Sequence, residues 1–573
     1  MQFYFILKKI IFFLSPKDKV KTIFLFFFIL IGIILENIGI VLLLPITSLL
    51  IGAEIPEQFV RFEDLLVNMT FTNNILFASL VLMFFIYLFK NIYLALLNYF
   101  QLKFIQQISR RLSNDLFTGY LNSNFSFHLN SNSAYLIRNI NEAGTFEPIF
   151  TQSILLLTEA IITLSLFTIF IIVDFKITLI VGSIFLFVGL LYIFAIANKA
   201  NKWGAARFES MGAYLKIITH GLNGIKEIIF TNGKNYFIKA ADKEKKILLD
   251  SVLKMRVVDF MPRAVIEMLI ILCAVVTIIF LVLNGKSHEY IIPVLAVFVA
   301  AAYRLGPACN RIVTNISSLK FSYASIQTLY EQLNIIKNNK EKIKLQNLQS
   351  KIDFSNNIYF KDISFSYKEN SEIYSNINLQ FKKNKIYGII GSSGSGKSTF
   401  INLLTGLLEP TIGKILMGDA DVNKNVKQWQ ESIAYVAQDL FLTDDSILNN
   451  IAFGKDKEDI NIDEVKKIIS KLELDSFVKD LREGIDTIVG EKGLKISGGQ
   501  RQRIALGRAL YRKPKILVLD EATNSLDQKT EMGILSILKN FQNITIFMVS
   551  HQKNSLTICD EIYEIKNKKI LKI

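Results

Sequence analysis

The stretch that decides the fold lies in the second half of the chain and reads Gly391-Ser392-Ser393-Gly394-Ser395-Gly396-Lys397-Ser398-Thr399. It follows a strand-like run at Ile386–Ile390 and precedes a helical run at Phe400–Leu408. Glycines let the backbone amides of such a loop converge on phosphate oxygens at the positive end of the next helix. The sequence therefore predicts a nucleotide site in which Lys397 meets the terminal phosphates and Ser398 binds magnesium.

A second motif follows the phosphate loop by about 120 residues. The run Ile516–Leu519 has the pattern of a buried strand, and it ends in the adjacent carboxylates Asp520 and Glu521. Two acids at a strand end are ordinarily only solvated, but this spacing after a phosphate loop favours catalysis. Asp520 is predicted to hold the magnesium shell, and Glu521 is predicted to polarise the attacking water.

The composition favours a membrane protein. Of the 573 residues, 51% are apolar and 20% are charged, and six apolar stretches of about spanning length lie in the first part of the chain. Buried helices of a large soluble core are the alternative, but so many consecutive long runs are hard to place in water. The predicted spans are Ile23–Leu50, Ile75–Tyr99, Ile149–Val173, Ile177–Ile196, Val265–Leu283 and Ile291–Ile316.

The distribution of positive charge gives the orientation. The net charge of +15 can indicate nucleic acid, an anionic membrane surface or an anionic substrate. Lysine and arginine crowd the N-terminal stretch and the connection Ala197–Phe260, whereas only Arg61 lies between Ile51 and Asn74. This pattern predicts that both termini are cytoplasmic, and the spans exclude a soluble ATPase with a nucleic-acid partner.

These patterns give a domain plan. A six-helix α-helical transmembrane domain is predicted over 1–325, and its first residues, Met1–Leu14, form a retained interfacial helix. A polar linker over 326–350 leads to an α/β P-loop NTPase domain over 351–573. Between the first two spans, Pro56–Phe71 is either a short amphipathic helix on the outer surface or a plain solvated loop.

Between the two ATPase motifs lies Ser497-Gly498-Gly499-Gln500, and with this signature the sequence resembles the ATP-binding cassette (ABC) family. The resemblance implies that Tyr367 stacks on adenine and that Gln438 contacts magnesium and the transmembrane domain. It also implies that Ser525–Asp527 is a dimer-contact loop and that His551 is the switch residue that senses the γ-phosphate. Leu526 departs from the family pattern, but every catalytic position is present.

The same resemblance implies a working pair of chains. In the family, the signature of one cassette closes on the ATP held by the phosphate loop of another, and this chain carries one of each. A homodimer with two hydrolysing sites follows, with ATP and Mg²⁺ as cofactors. The segment Gly224–Phe237 resembles the region that docks a cytoplasmic loop onto a cassette.

Four cationic residues in the hydrophobic stretches bear on the cargo. A charge at mid-bilayer costs about 3 kcal/mol, so such residues normally face a water-filled cavity, and a cationic cavity favours an anionic substrate. Snorkelling, or pairing with Glu36, Glu159 or Glu267, is the alternative for two of the four. The candidate substrate residues are Lys90, Arg263, Arg304 and Arg311.

A closer resemblance comes from Tyr303–Ile312 and Met261–Arg263, which are similar to bacterial flippases for the lipid-linked oligosaccharides of protein glycosylation. This implies that a polyprenyl-pyrophosphate-linked oligosaccharide crosses the bacterial inner membrane while its tail stays among the membrane lipids. A multidrug exporter or another lipid exporter of the same architecture is the alternative. The intact Glu521 disfavours a cassette-gated channel, which needs no turnover.

Overall fold

The computed structural model describes residues 2–41, 46, 75–144, 146–173, 175–283, 306–346, 352–367, 371–522, 528–541, 543–550 and 554–573. The predicted external segment Pro56–Phe71, Arg304, the loop Ser525–Asp527 and His551 lie outside these residues. The chain divides into two compact units. The first contains Met1–Ser123 and Asn130–Asn338, and the second contains Asn124–Leu129 and Asn339–Ile573.

The described elements of the first unit are helices. Three of them contain 47, 49 and 50 residues, which corresponds to about 70 Å each, more than twice the ~30 Å thickness of a membrane core. Each is therefore long enough to cross a membrane and continue beyond it. The helices are α1 (Gln2–Phe12), α2 (Pro16–Val41), α3 (Ile75–Leu121), α5 (Ser133–Gly144), α6 (Glu147–Val173), α7 (Phe175–Asn223), α8 (Ile225–Phe230), α9 (Lys234–Leu283), α10 (306–321) and α11 (Tyr323–Gln346), with α4 (Phe125–Leu129) in the second unit.

Helices cover five of the six predicted spans, at least in part, and the sixth is described only from residue 306. By length and composition, three described stretches could cross a membrane: Pro16–Ile38, Ser79–Leu121 and Ser133–Thr168. The number of six spans therefore stays a prediction. The predicted linker over 326–350 lies largely within helix α11.

The N-terminal helix α1 packs against the rest of the first unit. Its apolar face buries Ile6 and Ile10. Between them, the Lys9 ammonium contacts Gln327 and lies 5.0 Å from the Tyr323 ring and 5.7 Å from the Tyr330 ring. Cation–π contacts of this kind stabilise a partly shielded lysine, so α1 is tied to α11.

A proline inside α9 is compensated from a neighbouring helix. Pro262 has no N–H, so the Val258 carbonyl four residues earlier loses its helical donor. The Tyr192 hydroxyl on α7 donates a hydrogen bond to that carbonyl at 2.6 Å. Near a membrane such a substitute donor matters, because few waters can replace it.

The second unit contains two sheets. A four-stranded antiparallel sheet has the order β2-β1-β4-β5, and a six-stranded sheet has the order β10-β9-β3-β8-β7-β6 with parallel pairs except at β10–β9. The strands are β1 (Ile358–Ser366), β2 (Glu372–Phe381), β3 (Ile386–Gly391), β4 (Ile412–Met417), β5 (Ala420–Asp421), β6 (Ile433–Val436), β7 (Ile516–Asp520), β8 (Thr545–Val549), β9 (Glu561–Lys566) and β10 (Lys569–Lys572).

The helices of the second unit pack on these sheets. β7 and β8 are buried along their whole length, as expected for central parallel strands covered on both faces. The helices are α12 (Lys397–Leu404), α13 (Val426–Glu431), α14 (Ile447–Ile451), α15 (Ile462–Lys471), α16 (Asp475–Asp480), α17 (Gly498–Tyr511) and α18 (Gln528–Lys539).

One core of the second unit is built around aromatic rings. The rings of Phe381, Phe400 and Phe547 are fully buried and contact one another. The buried Trp429 donates from Nε1 to the Leu404 carbonyl at 2.8 Å, which secures the end of α12. Phe125 of α4 packs against the same cluster. These contacts hold β3 and α12, between which the phosphate loop lies, in a rigid frame.

Candidate active site

The predicted phosphate loop connects β3 to α12. Gly396 has a φ of 111°, a left-handed conformation that favours glycine. A Cβ there would lie 2.9 Å from the Tyr374 hydroxyl, which itself donates to the Gly396 carbonyl at 2.8 Å. Tyr374 therefore fixes the turn into the helix. Sequence reasoning missed it, because a buried tyrosine on β2 carries no motif signal.

The loop has the donors that a phosphate group needs. Nζ of Lys397 lies 2.9 Å from the Gly391 carbonyl and 3.0 Å from the Ser392 carbonyl, so the lysine curls back over the loop. The Ser395 hydroxyl is buried without a hydrogen-bond partner among the described residues. Ser398 is exposed in the first turn of α12, where the helix dipole favours an anion. These features fit a nucleotide phosphate with its magnesium ion.

The two predicted carboxylates lie at the end of β7. Asp520 is the last residue of the strand and is buried. Glu521 follows with a φ of 50°, a left-handed conformation that costs energy for a residue with a side chain. Its amide donates to the Val549 carbonyl of β8 at 3.0 Å, which holds the strained residue in place. Glu521 is thereby fixed immediately beyond the end of β7.

Gln438 reaches the same place from the loop after β6. Its Nε2 donates to Oε2 of Glu521 at 2.9 Å. The structure thus brings together Gln438 and Glu521, which are 83 residues apart in the sequence. With Ser398 and Asp520, Gln438 completes the oxygen-donor set predicted for magnesium, which suits a hard cation that retains several waters and binds phosphate oxygens.

A tyrosine that the motifs did not identify holds Asp520. The Tyr435 hydroxyl on β6 donates to Oδ2 of Asp520 at 3.1 Å. Burial raises the pKa of Asp520, with a further contribution from Glu521, while the Tyr435 hydrogen bond and Lys397 oppose the increase. Burial also raises the pKa of Tyr435 itself, so it remains a donor. Its position three residues before Gln438, on the strand beside β7, was the available signal.

The signature residues form the start of α17. The Ser497 hydroxyl accepts from the Gln500 amide at 3.2 Å, and Oε1 of Gln500 accepts from the Ser497 amide at 2.8 Å. This reciprocal capping box leaves the amides of Gly498 and Gly499 at a helix N-terminus. Such an end can meet an anion supplied from outside this unit.

Tyr367, the predicted adenine contact, lies at the end of β1. Its ring is about half exposed, at 49%, and packs edge-on against Phe365 at 4.9 Å. Its hydroxyl lies 3.2 Å from Oγ1 of Thr399, the last residue of the predicted loop. An exposed aromatic ring beside the phosphate loop is suitably placed to stack on a base.

The three described cationic candidates of the first unit all have neighbours. Nζ of Lys90 lies 4.4 Å from the Tyr87 ring. Nε of Arg263 lies 3.0 Å from Glu267 on the exposed side of α9. Nε of Arg311 lies 2.6 Å from Glu159. The carboxylate pairing that the sequence left open for two of the four residues is thus present at Arg263 and Arg311.

A helical unit followed by a unit with a phosphate loop and a capped signature helix has the architecture of the ABC transporter class. Comparison with known proteins identifies the family of the chain. The family model for the ABC transporter transmembrane region matches residues 3–303, and a second family model, described as ABC transporter, matches residues 374–524. The chain belongs to the ABC transporter family.

Individual relatives agree with this assignment. A putative export ATP-binding/permease protein of Rickettsia typhi is 37% identical over 43% of this chain and 42% of its own length. An ATP-dependent lipid A-core flippase of Ralstonia nicotianae is 35% identical over 37% of this chain and 36% of its own length. The chain therefore spans about two fifths of these relatives in the matched regions.

A solved structure gives the overall architecture. The structure of a bacterial Atm1-family ABC exporter with ATP bound superposes with a TM-score of 0.74 at 19% identity, and it covers 96% of this chain and 94% of the other. The fold is that of an ABC exporter, with a transmembrane region fused to an ATPase domain, as the sequence predicted.

Proposed function

We propose that this chain is an ATP-driven exporter that flips an anionic lipid-linked substrate, a polyprenyl-pyrophosphate-linked oligosaccharide, across the bacterial inner membrane. The main support for ATP hydrolysis is that Gln438, Glu521 and Asp520 lie close together beside the phosphate loop. Relatives named as lipid A-core flippases support a lipid cargo over a soluble one.

Each residue of the ATP site has a role in this proposal. Lys397 and the loop amides bind the phosphates, and Tyr367 stacks on adenine. Ser398, Asp520 and Gln438 would hold Mg²⁺, which would neutralise phosphate charge. Glu521 accepts a hydrogen bond from the attacking water and orients it for in-line attack. His551 stabilises the γ-phosphate in this proposal.

We also propose that two copies work together. The start of α17 offers amides to an anion, and one chain supplies one such end and one phosphate loop. Around α8, large apolar side chains are exposed: Leu222 at 72%, Phe230 at 90% and Tyr236 at 72%. Exposed apolar patches commonly mark protein interfaces, and here a cassette of the second copy is the proposed occupant.

The cargo proposal rests on the cationic residues of the membrane stretches. Arg311 lies in a hydrophobic stretch with a guanidinium side chain that is 37% exposed although it is paired. A guanidinium binds a phosphate group through two parallel hydrogen bonds. Lys90, Arg263 and Arg304 would add positive charge along the path of a pyrophosphate, while the polyprenyl tail stays in lipid.

The test uses the purified chain in proteoliposomes. ATP hydrolysis and movement of a polyprenyl-pyrophosphate-linked oligosaccharide are measured together, with Lys397→Ala as the inactive variant and the exposed Lys414→Ala as its matched control. We expect Lys397→Ala to abolish both activities and Lys414→Ala to retain both. Full-speed transport by Lys397→Ala would refute ATP-driven export.

The proposed cargo is tested by comparing how strongly different compounds stimulate ATP hydrolysis. We expect the pyrophosphate-linked glycolipid to stimulate ATP hydrolysis more strongly than a panel of uncharged hydrophobic drugs. Stimulation by the drugs, with none by the glycolipid, would instead identify a multidrug exporter of the same architecture.

Chemical cross-linking of the Glu521→Gln variant with ATP tests the homodimer, and a protein that stays monomeric under these conditions would contradict it.

A further inference from the structure

An ion pair with a buried carboxylate joins two helices of the first unit. Nε of Arg311 on α10 lies 2.6 Å from Oε1 of Glu159 on α6. The Glu159 side chain is 6% exposed. Glu159 lies twelve residues into α6, about 18 Å along the helix, and inside the predicted span Ile149–Val173. Ionisable residues at such depth are costly and are normally functional.

The pair leaves hydrogen-bonding capacity unused on both sides. Arg311 contacts Glu159 through Nε alone, and its two terminal nitrogens make no hydrogen bond to another described residue. Oε2 of Glu159 is buried without a partner among the described residues. On α10, the buried atoms Oδ1 of Asn310 and Nδ2 of Asn315 are also unpaired within the described part of the chain.

This one-point contact differs from a closed salt bridge. Arginine usually binds a carboxylate or phosphate through two parallel bonds from its planar fork. Here the Nε edge is engaged, while the fork belongs to a side chain that is 37% exposed. The guanidinium can therefore accept a second anion at its fork while Glu159 still holds its edge.

The charge of Glu159 sets how strongly that second anion binds. Removing the counter-ion of a partly buried cation leaves its charge uncompensated, so Arg311 alone would attract an anion more strongly. Because Glu159 already compensates the charge, an incoming phosphate group gains less. It also meets the repulsion of the carboxylate at short range.

We propose that Glu159 is a positioning residue for substrate binding, the resident counter-ion of Arg311. It holds the arginine in the empty carrier, orients the fork toward an anionic group of the substrate, and keeps binding weak enough for release. The inference rests on the proposed function, because it takes the substrate to be an anionic lipid. It extends that function by assigning the control of affinity to a residue of α6.

The experiment uses the full chain in proteoliposomes, with undecaprenyl pyrophosphate as the anionic probe and undecaprenol as the uncharged control lipid. Two quantities are measured: the lipid concentration that gives half-maximal stimulation of ATP hydrolysis, and the maximal rate at which the pyrophosphate group becomes accessible to a phosphatase inside the vesicles. The variants are Glu159→Gln, Glu159→Asp and Arg311→Gln, with the exposed Arg256→Gln as the matched control.

We expect Glu159→Gln to lower the half-maximal concentration of undecaprenyl pyrophosphate by about tenfold and to reduce the maximal rate, because release becomes slow. Loss of a merely structural contact would weaken binding and rate together. Glu159→Asp keeps the charge but shortens the side chain, so a smaller change of the same sign is expected. It provides the test even if Glu159→Gln does not fold.

The remaining results separate the inference from the proposed function. Arg311→Gln is expected to raise the half-maximal concentration, and Arg256→Gln to leave both quantities unchanged. If Arg311→Gln raises it while neither Glu159 variant lowers it, the inference is overturned and the anionic cargo stands. If the wild type responds equally to undecaprenol and undecaprenyl pyrophosphate, the anionic cargo itself is refuted.

Discussion

Nε2 of Gln438 donates a hydrogen bond to Oε2 of Glu521 at 2.9 Å, and this contact joins the loop after β6 to the end of β7. Glu521 is held in a left-handed backbone conformation next to a buried Asp520. The hydrogen bond from the Gln438 amide orients the Glu521 carboxylate without adding a charge to the site. The site therefore holds an oriented carboxylate whose amide partner belongs to the loop after β6.

Replacing Glu521 by glutamine keeps the side-chain shape and removes the charge. We expect ATP hydrolysis to fall by about 10²- to 10⁴-fold, the usual contribution of a positioned base, while ATP binding is retained. Phosphate release and nucleotide binding by the purified chain provide the measurement. The exposed Glu409→Gln is the matched control, and hydrolysis at the wild-type rate in Glu521→Gln would remove the base from the proposal.

Replacing Tyr435 by phenylalanine deletes the hydrogen bond to Asp520 at 3.1 Å. Hydrogen bonds to charged groups contribute about 1.5–3 kcal/mol, so we expect the magnesium concentration for half-maximal hydrolysis to change by about tenfold. A magnesium titration of hydrolysis at saturating ATP measures it. Tyr359→Phe, which removes a hydroxyl from β1, serves as control, and an unchanged titration curve would contradict a positioning role.

The Tyr192 hydroxyl and Pro262 form a pair that can be tested by a double-mutant cycle. Tyr192→Phe removes the donor that satisfies the Val258 carbonyl, and we expect a loss of about 1–3 kcal/mol in the free energy of unfolding. Pro262→Ala restores a backbone N–H four residues after Val258, so Tyr192→Phe should cost less in that background. Thermal unfolding in detergent is the measurement, and equal costs in both backgrounds would disprove the compensation.

The carboxylate of Glu561 predicts a pH dependence of stability. Burial would raise its pKa, but hydrogen bonds from Lys572, Lys385 and Tyr563 outweigh burial and lower the pKa to about 2. Because the folded-state pKa lies below the unfolded-state value, the ionised group stabilises the fold at neutral pH. That contribution is lost as the pH falls from about 4.5 toward about 2.

Glu561→Gln is expected to destabilise the chain at pH 7, and its effect is expected to shrink as the pH falls from about 4.5 toward about 2. Unfolding midpoints of the wild type and the variant across this pH range provide the measurement. The exposed Glu409→Gln serves again as the control for a loss of negative charge. A difference between wild type and Glu561→Gln that persists undiminished in acid would show that the ionised carboxylate is not the source of the stabilisation.

Much of the architecture could be predicted from local patterns. The long apolar runs predicted helices, and α2, α3, α6, α7 and α9 occupy five of them. The glycine-rich loop from Gly391 was correctly placed between a strand and a helix, although the helix already begins at Lys397, and the strand ending in Asp520 was also predicted. A glycine-rich turn and a run of buried β-branched and aliphatic residues are local signals. The exporter fold predicted from the motif order is confirmed by the comparisons.

Contacts between residues that are far apart in the sequence were harder to predict from the sequence. Tyr374 and Tyr435 carry no motif, yet one fixes the turn at Gly396 and the other holds Asp520. For the cationic residues of the hydrophobic stretches, the sequence left two interpretations open: exposure to a water-filled cavity, or pairing with a carboxylate. Arg311 has the partner Glu159, 152 residues away in the sequence.

The sequence by itself determined the class of protein, because glycine spacing, a signature and apolar run lengths are properties of short segments that hold in any context. Only the tertiary structure decided which side chains share a site. Packing of separate helices and strands brings Gln438 to Glu521 and Glu159 to Arg311. Whether a buried charge or a strained backbone is tolerated depends on the neighbouring group that compensates it.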